Sequence, residues 1–372
     1  MYTSKKGEID KFFLYTTMVL VGFGVLAFIS AAFGIYAKSQ EKFFSILFSQ
    51  LVLGLGLGLL VAYFTSKVNY KFWRKHSLVF FIISIVACLL VFVPGIGVLY
   101  NGARRWISIG PISFQPAEFL KIAVILYLSA WLSFVRNKPK NFWWSLVPLV
   151  AILGVAGIIL GFQPDTKSFI LIVSASLIMI FVSGVSFKYI GIALALIAVT
   201  LTLMILFRPY VATRIKTYVD PSSDPLGSSW QIDNSMIAIG SGGFFGRGYG
   251  QSIQKFTYLP EPHGDSIFAV IGEEMGFLGT TFLVLLYAAF GLRGFKIAMM
   301  APDTYSRFLV VGIIGLLLSQ SFLNILSMTG LFPLTGVPLV FVSHGGTSLL
   351  FSFFAVGIVM NVSRYTKITS LV

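Results

Sequence analysis

Acidic residues are scarce in this chain: 13 Asp and Glu in 372 residues, against 27 Lys and Arg. Charged residues make up 11%, less than half the share of about 25% found in soluble domains, which excludes a water-exposed surface over most of the chain. There is one cysteine, Cys88, so an internal disulfide framework is excluded. Also missing are alternating apolar and polar segments of ~10 residues, which excludes a membrane β-barrel. What is abundant is apolar: 57% hydrophobic residues and a mean hydropathy of +0.90.

Uncharged runs of ~18 residues or more recur along the chain, each long enough to cross a hydrocarbon core of ~30 Å as a helix. About ten such spans are expected, near 12–33, 46–66, 77–94, 117–135, 144–162, 168–185, 189–207, 266–290, 308–328 and 348–363. The fold class is therefore an all-α polytopic membrane protein. The first run is too long for a signal-peptide core and lacks a clear small-residue cleavage site, so it reads as a retained helix.

Charge location sets the topology. The N-terminus, the segments 67–76, 136–143, 186–188 and 291–307, and the C-terminal tail hold sixteen of the 27 Lys and Arg, grouped between apolar runs. The net charge of +14 is thus a topology signal rather than a nucleic-acid surface, and it places both termini in the cytoplasm. The outer connections are then 95–116, a long loop 208–265 between spans seven and eight, and 329–347. Pro333, Pro338 and the glycines of the last one suggest a re-entrant element that faces protein or water rather than lipid.

The scarce acids cluster in LPEPHGDSIFAVIGEE, residues 259–274, which holds Glu261, Asp265, Glu273 and Glu274 with His263 among them. Asp265 sits where the outer loop enters the eighth span. A carboxylate there is stabilised by the helix dipole, or it serves as a general base or metal ligand at the membrane surface. Glu273 and Glu274 fall ~12–14 Å further along a helix. They either face a polar cavity or pair with cations and cap a neighbouring helix. Glu118 and Lys121 in QPAEFLK share one helix face as an internal ion pair, or leave Lys121 facing a phosphate.

Arg104 and Arg105 lie in an outer loop, against the topology signal. Their planar guanidinium groups suit a lipid diphosphate, and ordinary headgroup contact is the plainer alternative. Asp165 in QPDTKS is accounted for by turn chemistry alone. The run GSGGFFGRGYG, Gly240 to Gly250, follows no expected strand and lacks the Lys-Ser/Thr of a phosphate-binding loop. Glu261, His263 and Asp265 are only a loose metal-ligand pattern.

Four stretches together carry a resemblance: GARRWISIGPISFQPAEFLK (102–121), QPD (163–165), SMIAIGSGGFFGRGYGQSIQKFTYLPEPHGDSIFAVIGEEMG (235–276) and TGLFPLTGVPLVFVSHGGTSLL (329–350). In order and spacing they resemble the SEDS family (shape, elongation, division and sporulation), the FtsW/RodA-type peptidoglycan glycosyltransferases. GYGQSIQKFTYLPEPH is more like the division-type FtsW branch. The resemblance implies one integral membrane domain over 1–372, in the bacterial cytoplasmic (inner) membrane with its active site on the extracytoplasmic side.

It further implies polymerisation of lipid II, the undecaprenyl-diphosphate-linked disaccharide-pentapeptide, into β-1,4 glycan with inversion at the anomeric carbon. Asp265 matches the family's essential aspartate, the proposed general base. Glu118, Lys121, Asp165, Glu273 and Glu274 match family motifs, and Arg104, Arg105 and Lys121 are candidates to stabilise the departing diphosphate. His263 is placed among the substrate-binding residues. A divalent cation, Mg or Mn, is an expected helper, with no metal ligands assigned.

A class B penicillin-binding protein transpeptidase and other division or elongation complex proteins are the implied partners, and nucleic acid is not. The competing reading is a lipid II flippase, which has less need of a lone base at the outer rim. The chain departs from the family pattern in three places. His263-Gly264-Asp265-Ser266 replaces His-Thr-Asp-Phe, Thr166-Lys167 replaces a usual glycine after QPD and one residue, and His344 stands where Tyr is usual.

Overall fold

Hydropathy alone places the long helices, and local caps fix where they begin. The computed structural model describes residues 7–36, 39–100, 102–109, 112–135, 147–185, 209–220 and 227–366, with isolated positions between 188 and 222. Among these, eight helices are long and apolar enough to cross a membrane. They are α1 (Lys11–Tyr36), α2 (Gln40–Lys67), α3 (Tyr70–Leu90), α4 (Pro116–Val135), α6 (Thr166–Ser183), α10 (Ile267–Met299), α11 (Thr304–Met328) and α12 (Gly346–Ser363). The shorter apolar α5 (Val147–Phe162) matches the expected fifth span. The expected seventh span, 189–207, and the connection 136–143 lie largely outside the described residues.

Several helices outrun their apolar windows. Asn69 caps α3 through a bond from Lys71 N, so Lys71, Arg74 and Lys75 ride on helix rather than loop. α10 likewise carries Arg293 and Lys296 on its last turns. A charge ends a hydropathy window but not a helix, because the backbone ladder continues beyond the hydrocarbon.

α11, α4 and α12 form the centre, with 72%, 67% and 67% of their apolar windows buried, whereas α2, with 17% buried, lies on the periphery. α12 packs along α2, α11 along α10, α6 and α4, and α4 also along α3. At one end the termini meet: Gly7 N donates to Arg364 O at 2.8 Å, and Asp10 both caps α1 at Phe13 N, 2.8 Å away, and accepts Arg293 Nη2 at 2.8 Å. The opposite end carries the long connections.

Those connections are more ordered than their composition suggests. The segment expected as a loop at 95–116 forms a three-stranded antiparallel sheet of β1 (Gly97–Tyr100), β2 (Ala103–Ile109) and β3 (Ile112–Phe114). The bundle itself is helical, as expected; the sheet refines only the loop expected at 95–116. The overlooked signal is the Asn-Gly dipeptide at 101–102 of the sequence, a hairpin signature; Gly102, just before β2, takes a φ of 73°. The segment 208–265 holds α7 (Pro209–Val219), α8 (Ser228–Ser241) and the single turn α9 (Gln254–Thr257).

The segment 330–345 between α11 and α12 has no regular structure, yet Val337, Leu339, Val340, Phe341 and Val342 are buried. Its carbonyls are met by a polar stripe on α11. Gln320 Nε2 donates to Pro338 O at 3.1 Å, Asn324 Nδ2 to Val337 O at 2.7 Å, and Ser327 Oγ to Pro333 O at 3.0 Å. Gln50, in the π-helical stretch of α2 (Phe48–Gly56), donates to Ser343 O and accepts from Gly345 N, both at 3.0 Å. Irregular backbone at this depth is tolerated because side chains from packed helices satisfy it.

Candidate functional site: a carboxylate and three cations at a broken helix

Asp265 lies just before α10, at the end of the bundle away from the termini. α10 is interrupted at Gly276, whose φ of 63° and ψ of −159° no residue with a Cβ adopts comfortably. The break frees carbonyls on one side and N–H groups on the other, and the glycine run 240–250 takes all four. Arg247 N and Gly248 N donate to Glu273 O and Glu274 O, each at 3.0 Å; Phe277 N and Leu278 N donate to Gly243 O and Phe244 O at 2.9 and 3.2 Å. The glycine-rich run is thus the complement of a helix break. Residues 267–275 form a separate half-helix with Asp265 just before its start.

The other end of that half-helix is anchored by its two glutamates. Glu273 accepts Ser252 Oγ at 2.6 Å and the N–H groups of Ile253 and Gln254 at 2.9 and 3.2 Å, capping α9. Glu274 pairs with the fully buried Lys255 at 2.6 Å and accepts Ser30 Oγ of α1 at 2.7 Å. Both carboxylates are at most 3% exposed and serve the join between α10, α1 and the 247–258 loop.

Around Asp265 the side chains come from four separate parts of the chain. Gln231 Nε2 of α8 donates to Asp265 Oδ1 at 3.1 Å and to Ser266 Oγ at 2.9 Å, while Asn324 Nδ2 of α11 donates to the Asp265 carbonyl at 2.7 Å. Among the described residues Oδ2 accepts no hydrogen bond. It faces Gly336, where an added Cβ would sit 3.5 Å from Oδ2 and 3.6 Å from Arg214 Nη2. Gly336 has a φ of 65°, so the turn needs glycine for its conformation as well. Lys167 Nζ donates to Gly336 O and Arg214 Nη1 to Thr335 O, both at 3.0 Å.

Burial raises the proton affinity of Asp265 above that of an ordinary carboxylate; Lys167 and Arg214 oppose this, and Glu261 reinforces it. His263, two residues earlier, is pushed down to about 4 by burial and is neutral at pH 7. Its ring lies 5.5 Å from that of His344, which is likewise lowered to about 4, first by burial and then by His263. His263 Nε2 is 3.6 Å from Glu261 Oε2, and His344 N donates to the His263 carbonyl at 2.7 Å. His263 therefore helps to hold the loop before Asp265 against the 330–345 segment.

The remaining expected residues divide into two groups. Arg105, on β2, joins the site: its Nε donates to Gln163 O at 3.1 Å and its Nη2 to Pro164 O. Tyr210 of α7 donates to the same Pro164 carbonyl at 3.1 Å and meets Thr166 Oγ1 at 2.6 Å. The Arg214 guanidinium stacks 5.7 Å from the Tyr210 ring centre. Arg104 is exposed on the sheet. Asp165 is fully buried as the N-cap of α6, accepting Ser168 Oγ at 2.8 Å and Gln115 Nε2 at 3.1 Å.

Glu118 and Lys121 pair at 2.9 Å, and Lys121 Nζ also donates to Gln320 Oε1 at 3.0 Å, one turn of α11 away from Asn324. The charge of Lys121 is thus matched within the protein. Gln231, Arg214 and Asn324 were not singled out from the sequence: each is a common residue with no motif, and only its distant partner gives it meaning. A protein-built metal cage does not fit here, since no three His, Cys, Asp or Glu side chains converge among the described residues.

A multi-pass helical bundle with a carboxylate–cation cluster at the loop-bearing end of a broken helix defines the class: an integral membrane protein with a polar site at one end of its bundle. The family model for cell cycle proteins of the FtsW, RodA and SpoVE type matches residues 10–368, and the chain belongs to this family, the SEDS proteins. Stage V sporulation protein E of Bacillus subtilis is 39% identical over 98% of this chain and 100% of its own. A probable peptidoglycan glycosyltransferase FtsW of Trichlorobacter lovleyi is 35% identical over 98% and 95%.

Two solved structures share the fold. One comes from work on the coordination of polymerization and crosslinking by a peptidoglycan synthase complex; it has a TM-score of 0.78 at 26% identity, over 97% of this chain and 99% of that one. The rod shape determining protein RodA of Thermus thermophilus has a TM-score of 0.72 at 25% identity, over 96% and 98%.

Proposed function

We propose that this protein is a peptidoglycan glycosyltransferase that polymerises lipid II, with Asp265 as general base. It acts in the bacterial cytoplasmic membrane, with the Asp265 end on the outer side, as the bias of basic residues toward the opposite end supports. The family's relatives named as glycosyltransferases support the reaction class. The solved synthase complex supports a crosslinking partner, which we take to be a class B penicillin-binding protein.

The observation that carries the assignment is the half-buried Asp265, fixed through Oδ1 by Gln231 with Oδ2 open beside two cations, Lys167 and Arg214. In the reaction the acceptor 4-hydroxyl oxygen bonds to the donor's anomeric carbon. The bond from that carbon to the diphosphate oxygen breaks, and the electron pair leaves with the diphosphate. The hydroxyl proton passes to Asp265 and then to solvent. Attack opposite the departing α-linked diphosphate gives the β-linkage in one inversion. A carboxylate whose proton affinity is raised is a stronger base than an ordinary one, which suits this transfer.

The test is polymerisation of labelled lipid II by purified protein, with and without its cognate transpeptidase, with moenomycin present to silence classical glycosyltransferases. Long glycan from wild type and none from folded, partner-binding Asp265→Asn supports the reading. Equal glycan from both removes Asp265 from the chemistry. No glycan from either, with lipid II still crossing liposomes, favours a lipid II flippase.

A further inference from the structure

Gln50 is a buried amide on the helix that the bundle covers least. α2 has 17% of its apolar window buried, yet Gln50 is only 4% exposed. It lies in the π-helical stretch Phe48–Gly56, a rare winding that recurs at functional sites. An amide inside a membrane span is costly unless it is paired, and both ends of this one are. Nε2 donates to Ser343 O and Oε1 accepts from Gly345 N, each at 3.0 Å, so the side chain grips the backbone on either side of His344. The two backbones lie close there: a Cβ on Gly346 would sit 2.9 Å from Ser49 Oγ and 3.1 Å from Ser49 O.

The residue held in that grip carries the contact onward. His344 N donates to the His263 carbonyl at 2.7 Å, and among the described residues no other hydrogen bond joins 330–345 directly to 259–266. Asp265 follows two residues later. Gln231 fixes its Oδ1 and Asn324 its carbonyl, but neither holds the chain that enters it. Gly264 N and Ser266 N donate to Glu261 O at 2.9 and 3.4 Å, which shapes the turn without tying it to the bundle. Gly264 lacks a Cβ and swivels freely, so the His263 carbonyl is the last point at which the incoming chain is fixed to the bundle.

We propose that Gln50 is a positioning residue for glycosyl transfer, setting through Ser343, Gly345 and the His344-to-His263 bond the direction in which Asp265 presents Oδ2. The proposal rests on the glycosyltransferase reading and assigns the remote support of its base. Gln50 touches no reacting atom. Its removal strands the Ser343 carbonyl and the Gly345 N–H, frees the 343–345 backbone and releases the loop before Asp265.

Release also alters the surroundings of the carboxylate. The charged groups facing Asp265 are Lys167 from α6, Arg214 from α7 and Glu261 from its own loop. α8 and α11 present the neutral amides Gln231 and Asn324, and 330–345 presents Gly336. His263 and His344 are neutral at pH 7. Water admitted by a loosened loop relieves the burial that raises the proton affinity of Asp265 while both cations stay, so the acid limb of kcat moves to lower pH.

The test compares wild type with Gln50→Met, a side chain of similar length and no amide, using the full chain in nanodiscs. Hydrogen–deuterium exchange needs no substrate: it should quicken over 259–266 and 343–346 and stay unchanged in α4. In lipid II polymerisation kcat should fall about tenfold with KM within about twofold, since misplacing a catalytic group by ~1 Å costs up to about a hundredfold. The acid limb should shift to lower pH.

Unchanged exchange over 259–266 would overturn the link from Gln50 to the loop. Faster exchange with the kcat and pH profile of wild type would overturn the positioning role and leave Gln50 a packing residue. Wild type that makes no glycan would sink the glycosyltransferase reading and the positioning role with it, whatever the exchange shows. If Gln50→Met does not fold, Gln50→Asn, whose amide is withdrawn by one methylene, is read against the same outcomes.

Discussion

Replacing Gly276 by alanine should disable the protein from a position that touches no substrate. An added Cβ would lie 2.8 Å from both Phe244 C and Phe244 O, and closer still to Gly246 N. These are backbone atoms of the glycine run and cannot rotate away. The dihedral strain itself costs about 1–3 kcal/mol. Pushing the run aside loosens the four hydrogen bonds that bridge the break, each contributing about 1 kcal/mol. The expected loss is therefore about 3–6 kcal/mol, a large part of the stability typical of a folded domain.

The assay is thermal and denaturant unfolding of purified Gly276→Ala in detergent beside wild type, together with lipid II polymerisation. Gly240→Ala is the control: that glycine is on α8 and nothing lies within 4 Å of the added Cβ. It should be neutral or stabilising, by up to about 1 kcal/mol. Gly276→Ala protein that unfolds like wild type and makes glycan of wild-type length would refute the account of the broken helix as the mount for Asp265.

Two further outcomes follow from the buried charges. Asp265→Asn should be more stable than wild type at pH 8, because burial raises the folded-state proton affinity of the carboxyl and its ionised form costs stability. Between the unfolded pKa and the raised folded one the folded state binds more protons, so wild type loses stability as pH rises through that window. The Asn advantage should shrink on acidification to pH 4, and a constant difference across pH would contradict the burial argument. Glu274→Gln should cost about 3–5 kcal/mol by stranding Lys255 as a buried cation. Glu274→Gln with Lys255→Met should recover part of it, and an additive double mutant would show the pair to be uncoupled.

The sequence by itself determined the membrane class, the approximate position of most spans, the family and the place of Asp265 at a helix entrance. These are local properties: transfer of apolar residues to hydrocarbon is decided window by window, and QPD or PEPHGD is contiguous. The sheet at 97–114 was also legible in principle, from Asn101-Gly102, but short strands inside a glycine-rich connection give a weak periodic signal.

Tertiary structure alone decided what the charges do. The purpose of the glycine run lies in the orphaned backbone groups of α10, and the fate of Glu274 lies in Ser30 and Lys255. Lys167, Arg214 and Asp265 meet at Gly336 although about a hundred residues separate Lys167 from Asp265. Such pairings depend on which helices pack together. Hydropathy cannot report this, because it measures each segment against the membrane and not against its neighbours.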